Sequence, residues 1–139
     1  MATLVSTIKL ASSTLFPTPI NFTVPVTENI MGDAAFSTII LGADTIGGEN
    51  TANIYGPTTG AAGSSEVVYV YLNAAADNTA PVLVNITDDT AGTSVAMKLI
   101  AGDFAWFPLY AAGAGVTVQL ENTDAVNTAT VNYFYGERG

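Results

Sequence analysis

Glu66-Val67-Val68-Tyr69-Val70-Tyr71-Leu72 is the stretch on which the fold turns. Everything after Glu66 in it is β-branched, aromatic or leucine, the residue types that suit a pleated surface. Neither of its two alternating sets is polar, and a strand that is apolar on both faces belongs in the middle of a sheet. The residues on either side are of turn type: Gly60-Ala61-Ala62-Gly63 before it and Asn73 to Ala80 after it. The sequence therefore predicts a central strand with breaks at both ends.

Shorter runs of the same kind recur in both directions. Leu4 to Leu10 reads as a first strand. Ile20-Asn21-Phe22-Thr23-Val24 alternates as a second, with Pro25 expected to limit pairing, and Ser37 to Leu41 follows as a third. Downstream, Val82-Leu83-Val84-Asn85-Ile86-Thr87 is closed by the turn cluster Asp88-Asp89-Thr90-Ala91-Gly92. Val95 to Ile100 and Phe104 to Leu109 flank Ala101-Gly102-Asp103, a spacing that predicts a hairpin with a three-residue loop. Val116 to Leu120 alternates strictly, and Thr128 to Tyr135 places Val131, Tyr133 and Tyr135 on one face. No amphipathic helix longer than two turns emerges. Eight or nine strands at intervals of about a dozen residues predict an all-β chain: a single domain, 1–139, built as a two-sheet antiparallel sandwich of jelly-roll type. The exception to the rhythm is Gly42 to Ser65, small and polar, expected to be a long loop that holds a short strand near Asn53 to Tyr55 or serves a contact.

Composition narrows the chemistry. The chain has no His and no Cys, and its cations are Lys9, Lys98 and Arg138. Without His or a G-x-S-x-G elbow, none of Ser12, Ser13, Ser64, Ser65 or Ser94 has a base to activate it. Lys98, on an alternating strand, is expected to be solvated. Twelve acids against three bases give a net charge of −9, which opposes contact with nucleic-acid phosphates or anionic lipid. No stretch has the length of uninterrupted apolar residues that a membrane span needs, and the first residues lack the apolar run of a signal peptide. The expectation is a protein made in the cytoplasm without a secretion address, with no catalytic residues, no cofactor and no metal.

Three weaker signals resolve the same way. Asp88-Asp89 with Asp124 or Glu121 could hold calcium, but no D-x-D-x-D-G spacing is present and a turn explains the aspartates. Asn21-Phe22-Thr23 and Asn85-Ile86-Thr87 match the glycosylation sequon, yet both fall inside predicted strands. Two carboxylates at a suitable separation would suffice for glycoside hydrolysis, although scattered acids make such a pair easy to propose.

The aromatic residues are more specific. In Phe104-Ala105-Trp106-Phe107-Pro108-Leu109, alternation sends Phe104 and Trp106 to one side and Phe107 and Leu109 to the other. One of those pairs leaves the core. Trp106 and Phe104, with Tyr69 and Tyr71 of the central strand, are the expected interface residues, whether the partner is a protein or a sugar on which the rings stack.

The pattern Val95-Ala-Met-Lys-Leu-Ile-Ala-Gly-Asp-Phe-Ala-Trp-Phe-Pro-Leu109, followed by Gly115-Val-Thr-Val-Gln-Leu-Glu-Asn122 and the closing Val131-Asn-Tyr-Phe-Tyr135, resembles small virion structural proteins of tailed bacteriophages. It is similar to those that form a β-sandwich attached to a capsid or tail, over roughly the last half of the chain. The resemblance implies a non-enzymatic role, foremost a capsid decoration or cement protein that binds the assembled phage head and stiffens it. The major capsid protein or other virion proteins would be its partners, and the virion its location. A fibre, neck or tail component that binds carbohydrate or a receptor is the alternative. Sheets with so few edge charges need their edges covered, which points to a homo-oligomer, with a trimer suited to threefold positions on a shell.

Overall fold

The computed structural model describes residues 2–12, 20–44, 49–56, 67–88, 92–110 and 115–138. These form nine strands: β1 (Ala2–Ser12), β2 (Ile20–Leu41), β3 (Thr51–Tyr55), β4 (Val67–Ala74), β5 (Val82–Asp88), β6 (Gly92–Leu99), β7 (Phe104–Tyr110), β8 (Thr117–Asn122) and β9 (Ala129–Arg138). A five-stranded sheet has the order β1-β2-β9-β4-β7 and a four-stranded sheet the order β3-β8-β5-β6. No described helix is long and apolar enough to cross a membrane.

All of the pairing is antiparallel and nested. β5 pairs with β6, β4 with β7, β3 with β8 and β2 with β9. Successive pairs alternate between the sheets, so a long two-stranded ribbon, doubled back at β5–β6, is wound around the core. Winding brings β9 beside β4 and β8 beside β5. This is the jelly-roll arrangement, with β1 added at one side.

The two inner faces meet in one core. Leu41, Val68, Val70, Leu72, Val131 and Tyr135 come from the five-stranded sheet; Ile54, Tyr55, Val82, Val84, Val118 and Leu120 come from the other. As predicted, β4 is central, with Val68, Val70 and Leu72 fully buried between the layers. The Tyr55 hydroxyl donates to Glu137 Oε1 at 3.1 Å, and the Tyr55 ring meets Tyr135 edge-on at 5.4 Å. Phe107 and Leu109 pack against this core, and Lys98 is exposed.

Three sequence-based expectations need correction. The second and third predicted strands are one strand, β2, 22 residues long. It runs through Pro25, which pairs with Thr7. Along residues 20–29 β2 has β1 on one side and, among the described residues, no strand on the other, an edge setting that tolerates a residue lacking an N–H. The Ala101-Gly102-Asp103 turn exists but does not close a hairpin: β6 and β7 belong to different sheets. The Asp103 amide donates to Ile100 O at 2.9 Å, the Asp103 carboxylate accepts from the Ile100 amide at 3.0 Å, and Gly102 has φ +82°. That positive φ at the third turn position is typical of glycine. The turn is also tied across to β4: Gly102 donates to Ala74 O and Ala74 to Asp103 O, which steers β7 onto β4. The short strand expected in the Gly42 to Ser65 loop is β3. The Asp89-Thr90-Ala91 part of the predicted turn lies outside the described residues.

One end of the sandwich is closed by polar side chains. Asn122, fully buried, donates through Nδ2 to Gly42 O at 2.7 Å and Asn127 O at 2.8 Å, and accepts from the Asp124 amide at 3.0 Å. Asn50 donates to Asp44 Oδ1 and Asn122 O, both at 3.1 Å. Asn78 clamps Thr130, donating to its carbonyl at 3.0 Å and accepting from its amide at 2.8 Å. The Asp124 carboxylate accepts from the Thr79 hydroxyl and from the amides of Val126 and Asn127 at 2.8 and 2.9 Å. The Thr79 hydroxyl first, and then those backbone amides, hold its carboxyl far below the ordinary carboxylate range. Bonds that favour the charged form lower the pKa.

Two outcomes are expected. Leu120→Ala, which empties a fully buried site on β8, should cost about 2–5 kcal/mol in urea unfolding without a change of slope. Because the folded-state pKa of Asp124 is depressed, its contribution is present above its ordinary value of 3.8 and is lost as pH falls below it. Asp124→Asn should therefore show a shallower fall in urea midpoint than wild type between about pH 5 and pH 2.

Candidate functional site

Burying the even-numbered residues of β4 turns its odd-numbered ones outward, and the ladders carry that choice across the sheet. Phe36 of β2 pairs with Phe134 of β9, Phe134 with Tyr71 of β4, and Tyr71 with Trp106 of β7. Four aromatic side chains thus occupy one row across four strands, on the face opposite the core. The adjacent row on one side is Ala34, Gly136, Tyr69 and Pro108; on the other it is Thr38, Asn132, Asn73 and Phe104. All four residues expected at an interface, Trp106, Phe104, Tyr69 and Tyr71, share this face.

The rings lie close to parallel. Trp106 stacks on Tyr69 with centroids 5.7 Å apart and planes 8° apart, and on Phe134 at 6.5 Å and 18°. Tyr69 is covered and only 8% exposed, whereas Trp106, Tyr71 and Phe134 are half-buried. Around them Phe36 (75%), Ile40 (67%), Phe104 (65%) and Tyr110 (69%) stand exposed. Gly136 makes the platform flat: a Cβ there would come within 2.7 Å of the tip of the Phe134 ring and 2.9 Å of Ile30 Cδ1. Its neighbours occupy the space a side chain would fill. Thr38 donates to Asn132 Oδ1 at 2.6 Å, and Asn73 donates to Asp103 O at 3.3 Å. Among the described residues with this outward register on β4, β7, β9 and residues 34–41 of β2, Arg138 carries the one charge.

Sequence reasoning missed Phe36, Phe134 and Tyr110 as members. Alternation along Val131 to Tyr135 already sets Phe134 opposite Tyr133 and Tyr135. Phe36 lies one residue before the strand predicted to begin at Ser37, and Tyr110 one residue after the strand predicted to end at Leu109.

The polar candidates do not converge. Val82 pairs with Asn122 and Thr87 with Thr117, so Asp88 and Asp124 are at opposite ends of the four-stranded sheet. Glu121 Oε2 accepts from Asn85 Nδ2 at 2.7 Å, and the described residues contain no group of three or more acids placed to hold a metal ion. Asn85 is buried with its amide nitrogen engaged, a poor glycosylation acceptor. On this same outer face of the four-stranded sheet, Gln119 donates to Asn53 Oδ1 at 3.1 Å.

Trp106 is the sole tryptophan, so intrinsic tryptophan fluorescence reports on the aromatic face alone. Phe134→Ala, which removes one stacking partner, should shift Trp106 emission to the red while costing less stability than Leu120→Ala, since such a stack contributes about 0.5–1.5 kcal/mol beyond burial.

No protein-family model, curated protein or solved structure matches the chain.

Proposed function

We propose that this chain is a non-enzymatic structural protein of a virion, foremost a decoration or cement subunit that binds the assembled head of a tailed phage and stiffens it. The observation that carries the reading is the aromatic outer face of the five-stranded sheet. A row of four aromatic residues flanked by exposed Phe104, Tyr110 and Ile40 is a large apolar surface for a sandwich of this size. Contiguous patches of that kind mark interaction sites, and enrichment in aromatic residues with depletion of charge is the composition of an interface centre. The chain has neither His nor Cys, and among the described acids Glu121 accepts from Asn85, Glu137 from Tyr55, and Asp124 from Thr79 and backbone amides. Carbohydrate binding by a fibre, neck or tail module is the second reading, favoured by the parallel stack of Tyr69, Trp106 and Phe134 beside Asn73 and Asn132.

Mass spectrometry of density-purified particles from the host that encodes this chain should find it in stoichiometric amount, and particles stripped of it should melt at a lower temperature until it is added back. Its absence from intact particles would overturn the proposal. For the second reading, soluble oligosaccharides should quench Trp106 fluorescence saturably in wild type and not in Tyr71→Ala.

A further inference from the structure

The outer face of the four-stranded sheet holds a buried oxygen that no described residue satisfies. Asn85 of β5 is 5% exposed, and its Oδ1 is buried without a hydrogen-bond partner among the described residues. Buried polar atoms are nearly always bonded, because a bare one loses its hydration and gains nothing in return. Turning the amide over brings no relief. Its Nδ2 donates to Glu121 Oε2 at 2.7 Å, and an ionised carboxylate only accepts, so the exchange would set oxygen against oxygen. We infer that Asn85 Oδ1 is a ligand of a hard cation, with calcium as the fitting ion, in a site completed by Glu121 and Gln119.

Register brings the three side chains together. Asn85 pairs with Gln119 across β5 and β8, and Glu121 is the next residue of β8 on the same face. Gln119 Nε2 in turn donates to Asn53 Oδ1 of β3 at 3.1 Å. Both amide nitrogens of the site therefore already donate to neighbours on the sheet. Asn85 Oδ1, Gln119 Oε1 and Glu121 Oε1 take no part in either bond. What the site has to spare is oxygen.

Charge points the same way. Glu121 brings one negative charge, and its ladder partners are Leu83 on β5 and Thr51 on β3. Lys98 pairs with the far side of Leu83 and is exposed, which sets it two strands, about 10 Å, from Glu121. A ligand rich in hydroxyls asks for donors as well as acceptors, whereas a cation takes acceptors alone. One carboxylate with two amide carbonyls is the oxygen chemistry of Ca²⁺, which tolerates flexible geometry and fills its remaining positions with water; Mg²⁺ demands a strict octahedron. A single carboxylate places the site at the weak end of calcium affinities, about 10⁻⁴–10⁻³ M. Glu121 thus belongs to a different ligand set from the one its sequence neighbours suggest: Asp88 lies at the other end of β5, and the oxygens come from the facing strand. The bound ion ties β5 to β8 and, through Gln119 and Asn53, braces β3 as well.

The site lies on the sheet opposite the aromatic face, so it stands or falls apart from the virion reading. The experiment is a calcium titration of the full chain at constant ionic strength, followed by amide NMR and by thermal melting. The side-chain amide signals of Asn85 and Gln119 should move together along one saturating curve, and the melting temperature should rise by roughly 3–6 °C in about 20 mM calcium. Glu121→Gln, which keeps the size of the side chain and removes its charge, should abolish the rise and hold the Gln119 signal still. Asp124→Asn, beyond the end of β8, should retain both responses, which separates this site from general screening of the net −9 charge. Signals of Asn85 and Gln119 that stay still in wild type, as a buried water on Oδ1 would leave them, or a melting rise that survives Glu121→Gln, overturns the inference.

Discussion

Burial of Val68, Val70 and Leu72 in the middle of β4 is the constraint on which the rest of this structure depends. Those three side chains meet the opposite sheet at full burial, and β4 is flanked on both sides, by β9 and by β7. A register slip of one residue would drive the whole set out of the core and replace it with Tyr69, Tyr71 and Asn73. No compensation within the sheet could offset that, because both neighbouring ladders would have to slip together. Once the even residues of β4 are inside, Tyr71 is outside, and the ladder pairs force Phe134, Trp106 and Phe36 out beside it. The aromatic face is thus a geometric consequence of the core.

The two ends and the two faces of the sandwich are treated differently. At one end, side chains of Asn122, Asn50, Asn78 and Asp124 bond backbone groups of the β2–β3 and β8–β9 connections and of the adjoining ends of β8 and β9. Polar groups engaged in this way hold loops in place at modest net gain, while their loss leaves buried partners exposed to a desolvation cost. The outer face of the four-stranded sheet carries a polar network, with Gln119 on Asn53 and Asn85 on Glu121. The outer face of the five-stranded sheet carries rings. That asymmetry sets a polar outer face against an aromatic one, on which Arg138 carries the one charge among the described residues of outward register. Copies of a chain with net charge −9 repel one another.

Much of this is legible in the residues themselves. The period of two in Val116 to Leu120 and Thr128 to Tyr135 marks two strands and the sides of their residues, since alternation is a local property of extended backbone, whereas Glu66 to Leu72, apolar on both faces, marks a strand without marking its sides. Alternation also puts Phe104 and Trp106 on one side of their strand, while burial of Val68, Val70 and Leu72 decides that this side, with Tyr69 and Tyr71, is the outer one. Two local signals mislead because distant ones compete with them. Pro25 reads as a break, yet an edge position removes the penalty that would make it one. Ala101-Gly102-Asp103 reads as a hairpin, because turn chemistry records that the chain reverses and not which strand receives it; the bonds from Ala74 to Asp103 and from Gly102 to Ala74 decide that.

By itself, then, the sequence determined the class of the fold, the positions of nearly all the strands, the central place of β4, and the exclusion of chemistry that needs histidine or cysteine. Each of those follows from composition or from a repeat spanning a few residues. Tertiary structure alone decided the nested order of the sheets, the union of four rings from four strands into one row, and the continuity of β2 through Pro25. These depend on pairings between residues far apart in the chain, such as Phe36 with Phe134. What selects such pairings is the joint burial of two inner faces, a property of the assembled layers that no short window of residues contains.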